Sequence, residues 1–334
     1  MRRFAIADFR FWIGGPALFI LALAFALLLV PCAAEAQQAG KLIRIGQLVV
    51  PAAGPPGSPR PIVARLSELG YVEGRDYSME YRYAEGNYDR LPALAADLVR
   101  TRVDMIFASG NTAAQVALEA TNSIPVVTVS CDAFTLVTSL ARHGRNLCGV
   151  TCMRIELTEK RLEIFKEAVP KATRVAVLYN PLEGPEGLQF TEAAAQQLKV
   201  ALVPVPVLSA KDFEPALDSV RQQRPDALFV NPDAVLISRH RQIAEFALQH
   251  RLPAINPFSE FVAAGGLMSY GASSRDLARR GAELIAKIFE GAKPSDLPIE
   301  QATRFYLVIN LKTAKALGLT IPPSLLIRAD QVIE

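Results

Sequence analysis

Ser109, Gly110, Asn111 and Thr112 place two hydroxyls, one amide and an unhindered backbone in four consecutive positions. They follow residues 105–108, Met-Ile-Phe-Ala, a short apolar run of the kind that forms a buried parallel strand. After them Ala-Ala-Gln-Val-Ala-Leu-Glu-Ala reads as a helix. A strand that breaks at glycine and opens a helix presents the unpaired N–H groups of the first helical turn. Such an end attracts a carboxylate or phosphate, each contact worth roughly 0.3–1 kcal/mol when exposed. These four residues are therefore candidates for holding an anionic group; the simpler alternative is that Asn111 only caps its own helix. Asp132 and Asp233 stand just past other strand ends and are candidates for an ammonium, again with helix capping as the alternative. Tyr179, Phe258 and Tyr270 offer flat faces for stacking, or core packing.

Three strands of the second half end alike, in Tyr179-Asn180-Pro181, Val230-Asn231-Pro232 and Ile255-Asn256-Pro257. Proline cannot continue a central strand and holds the residue before it extended. Each Asn amide is thereby presented at a strand's carboxyl end, where open α/β sheets bind ligands. The alternative is that Asn-Pro is ordinary loop chemistry.

Catalysis would require a nucleophile with its base, or a set of metal ligands. The three histidines are His143, in a loop, and His240 and His250, ten apart on one helix and about 80° off a common face at 3.6 residues per turn. Zinc-type spacing, a P-loop, Gly-x-Ser-x-Gly and a Gly-x-Gly-x-x-Gly after a strand are all missing from the sequence. The expectation is a binding protein with no catalytic residues, no metal and no cofactor.

The elements that must position these groups alternate regularly. Residues 42–50 and 77–83 read as strands, as do 125–129, 174–179, 200–208, 227–230, 253–255 and 302–310. Helices with apolar residues at helical spacing lie between them, for example Leu91, Leu94, Leu98 and Val99, or Leu277, Leu284, Ile285 and Ile288. Strand–helix alternation implies parallel sheets covered by helices. The pattern loosens over 145–153 and again over 265–271, and both stretches are read as crossings between two lobes. The expected division is lobe 1 over 41–150 plus about 272–295, lobe 2 over 151–270, and a C-terminal segment, 296–334, that returns to the lobes or hinge. The residues thus predict an α/β protein of two similar lobes, each a parallel sheet flanked by helices, hinged by several strands around a cleft.

At 334 residues and 51% hydrophobic, the chain has room for both lobes. Arg2, Arg3 and Arg10 precede an uncharged run over 11–30, and Ala34-Glu35-Ala36 is a small-x-small site. That pattern predicts a signal peptide over 1–36, cut before Gln37. An uncleaved anchor and a lipoprotein signal through Cys32 are the alternatives. Removal of 1–36 takes three arginines and two acidic residues from a chain of formal charge +3, so no basic surface for nucleic acid is expected. Export leaves Cys131, Cys148 and Cys152 in an oxidising compartment, where one pair and one odd thiol are expected, or three buried thiols. If 148–152 runs extended, its end Cα atoms are about 13 Å apart at 3.3 Å per residue. A disulfide needs less than about 7 Å, which leaves Cys131 to meet either partner.

Residues 66–85 (from Leu-Ser-Glu-Leu-Gly-Tyr-Val-Glu-Gly-Arg to Tyr-Arg-Tyr-Ala-Glu), 88–96, 265–271 and 307–319 (Leu-Val-Ile-Asn-Leu-Lys-Thr-Ala-Lys-Ala-Leu-Gly-Leu) are distinctive. Together they resemble the bacterial extracytoplasmic substrate-binding proteins of ABC transporters, the family that includes tryptophan/tyrosine-type binding components. The resemblance covers residues 41–334. It implies a type I periplasmic-binding-protein fold with two Rossmann-like lobes. It also implies a periplasmic monomer that captures a small polar or aromatic amino-acid-like solute and delivers it to an ABC permease in the inner membrane. Many relatives carry Gly-Asp-Pro where this chain has Cys131-Asp132-Ala133, and a Gly-Thr-Pro-like turn at 109–112, so the resemblance carries no ligand identity. Ser-Cys-Asp with a later Thr-Cys-Met resembles a subgroup in which both cysteines occur, which implies a Cys131–Cys152 bridge. The competing reading is a ligand-sensing ectodomain of the same fold; it would need a signalling domain, and a repressor would need a helix-turn-helix.

Overall fold

Short runs rich in Val, Ile, Leu and Ala can bury both faces only by pairing in parallel beneath helices. The structure, a computed structural model, describes residues 42–334 apart from 55, 56, 59, 138, 141–144 and 185. The expected signal peptide, its cleavage point after Ala36, Cys32 and His143 lie outside the described residues.

The described chain begins β1 (Ile43–Val49), α1 (Pro61–Glu68), β2 (Tyr77–Tyr83), α2 (Leu91–Arg100), β3 (Met105–Ser109), α3 (Asn111–Ala120), β4 (Val126–Ser130) and β5 (Leu147–Thr151). It continues α4 (Arg154–Ala168), β6 (Arg174–Tyr179), α5 (Glu186–Gln197), β7 (Ala201–Pro206), α6 (Phe213–Gln223), β8 (Ala227–Val230), α7 (Ala234–Ser238), α8 (His240–Gln249), β9 (Ala254–Asn256), α9 (Ser259–Ala263) and β10 (Met268–Ala272). Then come α10 (Ser274–Phe289), β11 (Ile299–Gln301), β12 (Phe305–Asn310), α11 (Leu311–Ala316), α12 (Pro323–Arg328) and β13 (Gln331–Ile333). Two sheets result, in the orders β11-β5-β4-β3-β1-β2 and β13-β12-β10-β9-β8-β6-β7. The strand pairs are parallel except β10 with β12. The expected α/β architecture of parallel sheets flanked by helices is the one observed.

Both expected crossings are shorter than their sequence suggests. Residues 147–151 are β5, fully buried between β4 and β11. Its Leu-Cys-Gly-Val-Thr shows no alternation because neither face meets water. Gly149 is required there: a Cβ would lie 2.3 Å from the Thr128 carbonyl oxygen. The crossing is confined to Cys152 and Met153, and Met153 takes the left-handed φ of 59° that ends the strand and starts α4. Likewise residues 268–272 are β10 of the second sheet, and the chain crosses at Ser273. The strand expected over 302–310 is β12, which starts only at Phe305; an unanticipated strand, β11, precedes it in the first sheet, with a third crossing over 302–304. After Pro322, Pro323 opens α12 at a first-turn position where its missing N–H costs nothing, and β13 follows.

α10 returns to the first sheet and buries Leu277, Leu284 and Ile285 against it. Fully burying such a side chain contributes about 1.5–3 kcal/mol. Registry then levels the strand ends: Val49 pairs with Ser109, Ser109 with Val129, and Ser130 with Thr151. The carboxyl ends of β1, β3 and β4 therefore form one edge.

Candidate ligand-binding site

At that edge lies a cavity of about 420 Å³. The first sheet contributes Val49, Phe107, Ser109, Val129, Ser130 and Cys131 from strand ends, with Ile62 of α1 and Leu277 of α10. The second sheet supplies Asn256 from the end of β9, and segments that follow β6, β8 and β9 supply Glu183, Asp233, Phe258 and Phe261. The cavity thus lies where the carboxyl ends of both sheets meet, the usual place for a ligand in open α/β folds. Its walls are chiefly apolar, and among the described residues no Lys or Arg lines it.

Of the residues singled out from sequence, Ser109, Gly110, Asn111, Asp233, Asn256 and Phe258 line this cavity, whereas Thr112, Asp132, Asn180, Asn231 and Tyr270 do not. Gly110, at φ 97°, sits where β3 turns into α3 and adopts a conformation open to glycine. No side chain caps α3. Asn111 therefore does not have the capping role weighed for it. Its Nδ2 donates to Thr135 Oγ1 at 3.1 Å, and the Thr135 hydroxyl donates to the Asp132 carbonyl at 2.9 Å. Because that hydroxyl proton is already engaged, Thr135 can only accept from Asn111, which fixes the amide orientation. Asn111 Oδ1 is then buried without a hydrogen-bond partner, as is Ser130 Oγ in the same wall.

The two aspartates have structural partners instead of a free position for an ammonium. Asp132 forms a buried ion pair with Arg154 at the first crossing. Asp233 caps α7: its Oδ1 accepts from the amides of Val235 and Leu236 at 2.9 and 3.0 Å. Its Oδ2 accepts from the Tyr88 hydroxyl and from Asn180 Nδ2 at 2.9 Å. Four donors occupy the four favourable acceptor positions of one carboxylate. Burial holds the Asp233 carboxyl above its usual range, although all four donors favour its charge. Burial and the Asp233 charge push the Tyr88 phenol up.

The Asn-Pro turns are mostly loop chemistry. Asn180 and Asn256 accept from the amides two residues on, Leu182 and Phe258, at 2.9 Å each. Asn231 reaches Thr191 at 3.5 Å and keeps an unpartnered Oδ1. Tyr270 offers its carbonyl oxygen to Arg161 Nε at 2.9 Å while its ring packs on the apolar core that includes Val177, Phe229 and Ile255 of the second sheet. Burial depresses the Arg161 guanidinium to about 9.

Sequence reading missed Glu183. It ends the short turn Pro181–Glu183 after β6 and lines the cavity. Its Oε1 accepts from the Thr112 hydroxyl of α3 at 2.8 Å, one of several contacts that join the two sheets' ends. Others are Tyr88 with Asp233, and the Ala210 amide donating to the Gly86 carbonyl at 2.9 Å. Burial, then the neighbouring Asp233 charge, raises the Glu183 carboxyl to about 7 against the opposing pull of Thr112 and Arg154. An acidic residue just past an Asn-Pro turn at a strand end was the available signal.

Cys131, in the cavity wall, is joined to Cys152 by a disulfide with Cα atoms 4.4 Å apart. The two continue the β4–β5 registry beyond Ser130 and Thr151. Cys148 is free and buried, and burial pushes its thiol up to about 12. Among the described residues no group of three or more His, Cys, Asp or Glu side chains is placed to hold a metal ion, and no helix is long and apolar enough to cross a membrane.

Comparison with known proteins places this arrangement among transport proteins. The profile of the family described as ABC transporter substrate binding protein matches residues 60–333. A tyrosine-binding protein of Clostridioides difficile (strain R20291) is 26% identical over 262 residues, which cover 77% of this chain and 75% of that one. The crystal structure of a conserved domain protein from Vibrio cholerae O1 biovar El Tor superposes with a TM-score of 0.79 at 25% identity, covering 87% of this chain and all of the other. A domain from Streptococcus pneumoniae solved in complex with L-Trp superposes with a TM-score of 0.76 at 24% identity, covering 88% and 100%. The fold is that of the type I periplasmic binding proteins.

Proposed function

The chain belongs to the ABC transporter substrate binding protein family, whose members capture a solute for an ABC permease, and from that premise we propose that its solute is an amino acid with a bulky apolar side chain. One observation carries the reading: an uncapped helix end opens beside a cavity of about 420 Å³ whose walls are chiefly apolar. In this reading the first-turn amides of α3, with Ser109 and Ser130, take the α-carboxylate. Ile62, Phe107, Val129, Phe258 and Leu277 surround the side chain. The volume is within the usual range of roughly 300–1,000 Å³ for small-molecule sites. The relative that binds tyrosine and the fold neighbour solved with L-Trp support the same class. We further read the protein as a non-catalytic periplasmic monomer that engages no nucleic acid and is processed after Ala36.

A calorimetric screen of the processed protein against aromatic and aliphatic amino acids, nucleobases, sugars and aromatic acids tests the proposal. Saturable binding of one or more bulky apolar amino acids is the expected outcome. Binding confined to sugars or nucleobases would overturn it.

A further inference from the structure

Glu183 is a carboxylate at the wall of an apolar cavity whose hydrogen bond comes from a neutral hydroxyl, Thr112. Among the described residues no Lys, Arg or His nitrogen forms an ion pair with it. Arg154 Nη2 donates to the Glu183 backbone carbonyl at 3.1 Å and pairs with Asp132, so the half-buried Glu183 carboxylate has no cation of its own and is favoured by a proton or an incoming positive charge. The other acidic groups of the wall are engaged: Asp233 accepts from four donors, and Glu260 accepts from the Ser274 hydroxyl. The wall's histidine, His240, is held at the Ile237 carbonyl at 2.7 Å. Asn111, beside Thr112 at the start of α3, adds a buried Oδ1 with no donor. An unpartnered amide oxygen and a carboxylate whose donor is a neutral hydroxyl therefore stand together at the start of α3.

We propose that Glu183 is the specificity-determining residue of this cavity, selecting ligands that carry a cationic group and, through Thr112, coupling that selection to closure of the two lobes. The proposal rests on the amino-acid reading above and names the partner of the α-ammonium. Glu183 follows β6 of the second sheet and Thr112 stands on α3 beside the first, so their hydrogen bond exists only when the sheets' carboxyl ends meet. A ligand ammonium between Glu183 and Asn111 Oδ1 would draw on acceptors from both sides.

The same geometry sets a pH dependence. The charged groups around Glu183 are Asp233, Asp132 and Arg154, with Tyr88 close to Asp233 and with His240 and Glu260 farther along the wall. Burial raises the Glu183 carboxyl to about 7. An ammonium favours the ionised form, so binding expels a proton. Affinity for a cationic ligand therefore rises with pH through this range, by up to tenfold per pH unit below about 7.

The test compares L-phenylalanine, phenethylamine and 3-phenylpropionate by calorimetry, on the processed protein, Glu183→Gln and Thr112→Val, between pH 5.5 and 8.5. The expected result is binding of the zwitterion and amine and at least thirtyfold weaker binding of the acid. Glu183→Gln should abolish that discrimination and flatten the pH profile, while Thr112→Val should keep the discrimination with lower affinity. Melting curves taken without ligand confirm that both variants are folded. Equal binding of phenylalanine and 3-phenylpropionate, or discrimination intact in Glu183→Gln, overturns the role of Glu183 and leaves the amino-acid reading standing. Binding of the amine alone supports Glu183 and overturns the amino-acid reading. Failure of all three compounds to bind overturns both.

Discussion

Replacing Asp233 by Ala should cost the ligand-free protein about 3 kcal/mol, although the residue lines the cavity. The magnitude follows from its partners. Loss of the cap on α7, where Oδ1 accepts from Val235 and Leu236, costs about 1 kcal/mol. The Tyr88 hydroxyl and the Asn180 amide then lose a buried acceptor, and an orphaned buried donor costs about 1–3 kcal/mol. Against this, the substitution removes a carboxylate whose charge burial disfavours, so the sum falls below the total of the parts. At about 2.1 cal/mol/K of unfolding entropy per residue, 3 kcal/mol in a chain of this size corresponds to a fall in melting temperature of about 5 °C. Asp233→Asn keeps an acceptor for the cap and should lose less than half as much. Because Tyr88 follows β2 of the first sheet and Asp233 follows β8 of the second, Asp233→Ala should also widen the solution scattering profile relative to wild type. Thermal denaturation of the three proteins without ligand is the assay. A loss below about 1 kcal/mol in Asp233→Ala, or equal losses in Ala and Asn, would refute the bracing role.

Stability should respond to pH through Glu183. Its folded value near 7 exceeds the ordinary 4.5, so the neutral form is favoured in the fold. That stabilisation is complete below about pH 4.5 and is lost as pH rises through 7, with a ceiling of about 3 kcal/mol. Glu183→Gln should therefore melt close to wild type at pH 5 and above it at pH 8; the opposite order would show a carboxylate stabilised by charge. The Cys131–Cys152 bridge closes a loop over a sequence separation of 21, worth roughly 3 kcal/mol in the chain-entropy model. Cys152→Ser should lose about that much. Non-reduced peptide maps should show this link together with a Cys148 that reacts with alkylating agents only after denaturation. A Cys148–Cys152 link, or three thiols alkylated in the native protein, would refute it.

The alternation of apolar runs with amphipathic helices was readable from the sequence because each period is local: a strand or helix face repeats within a few residues. The long motifs at 66–85 and 307–319 carried the family for the same reason. Strand β5 escaped because burial on both faces erases alternation, and only its pairing with β4 and β11 reveals it. The glycine turn at 109–112 was legible as a helix opening, yet three of its four residues line the cavity while Thr112 turns to Glu183. Asp132 and Asp233 illustrate the limit most clearly. A carboxylate past a strand end reads the same whether it faces a ligand or a partner. Here Arg154 and Tyr88, the latter 145 residues away, decide the matter. Glu183 is the converse, an ordinary turn residue in sequence whose setting comes from α3 and Asp233. Local periodicity determines which elements form. Which polar groups remain free for a ligand depends on how distant strand ends meet, and that is decided only when crossings and registry bring the two sheets together.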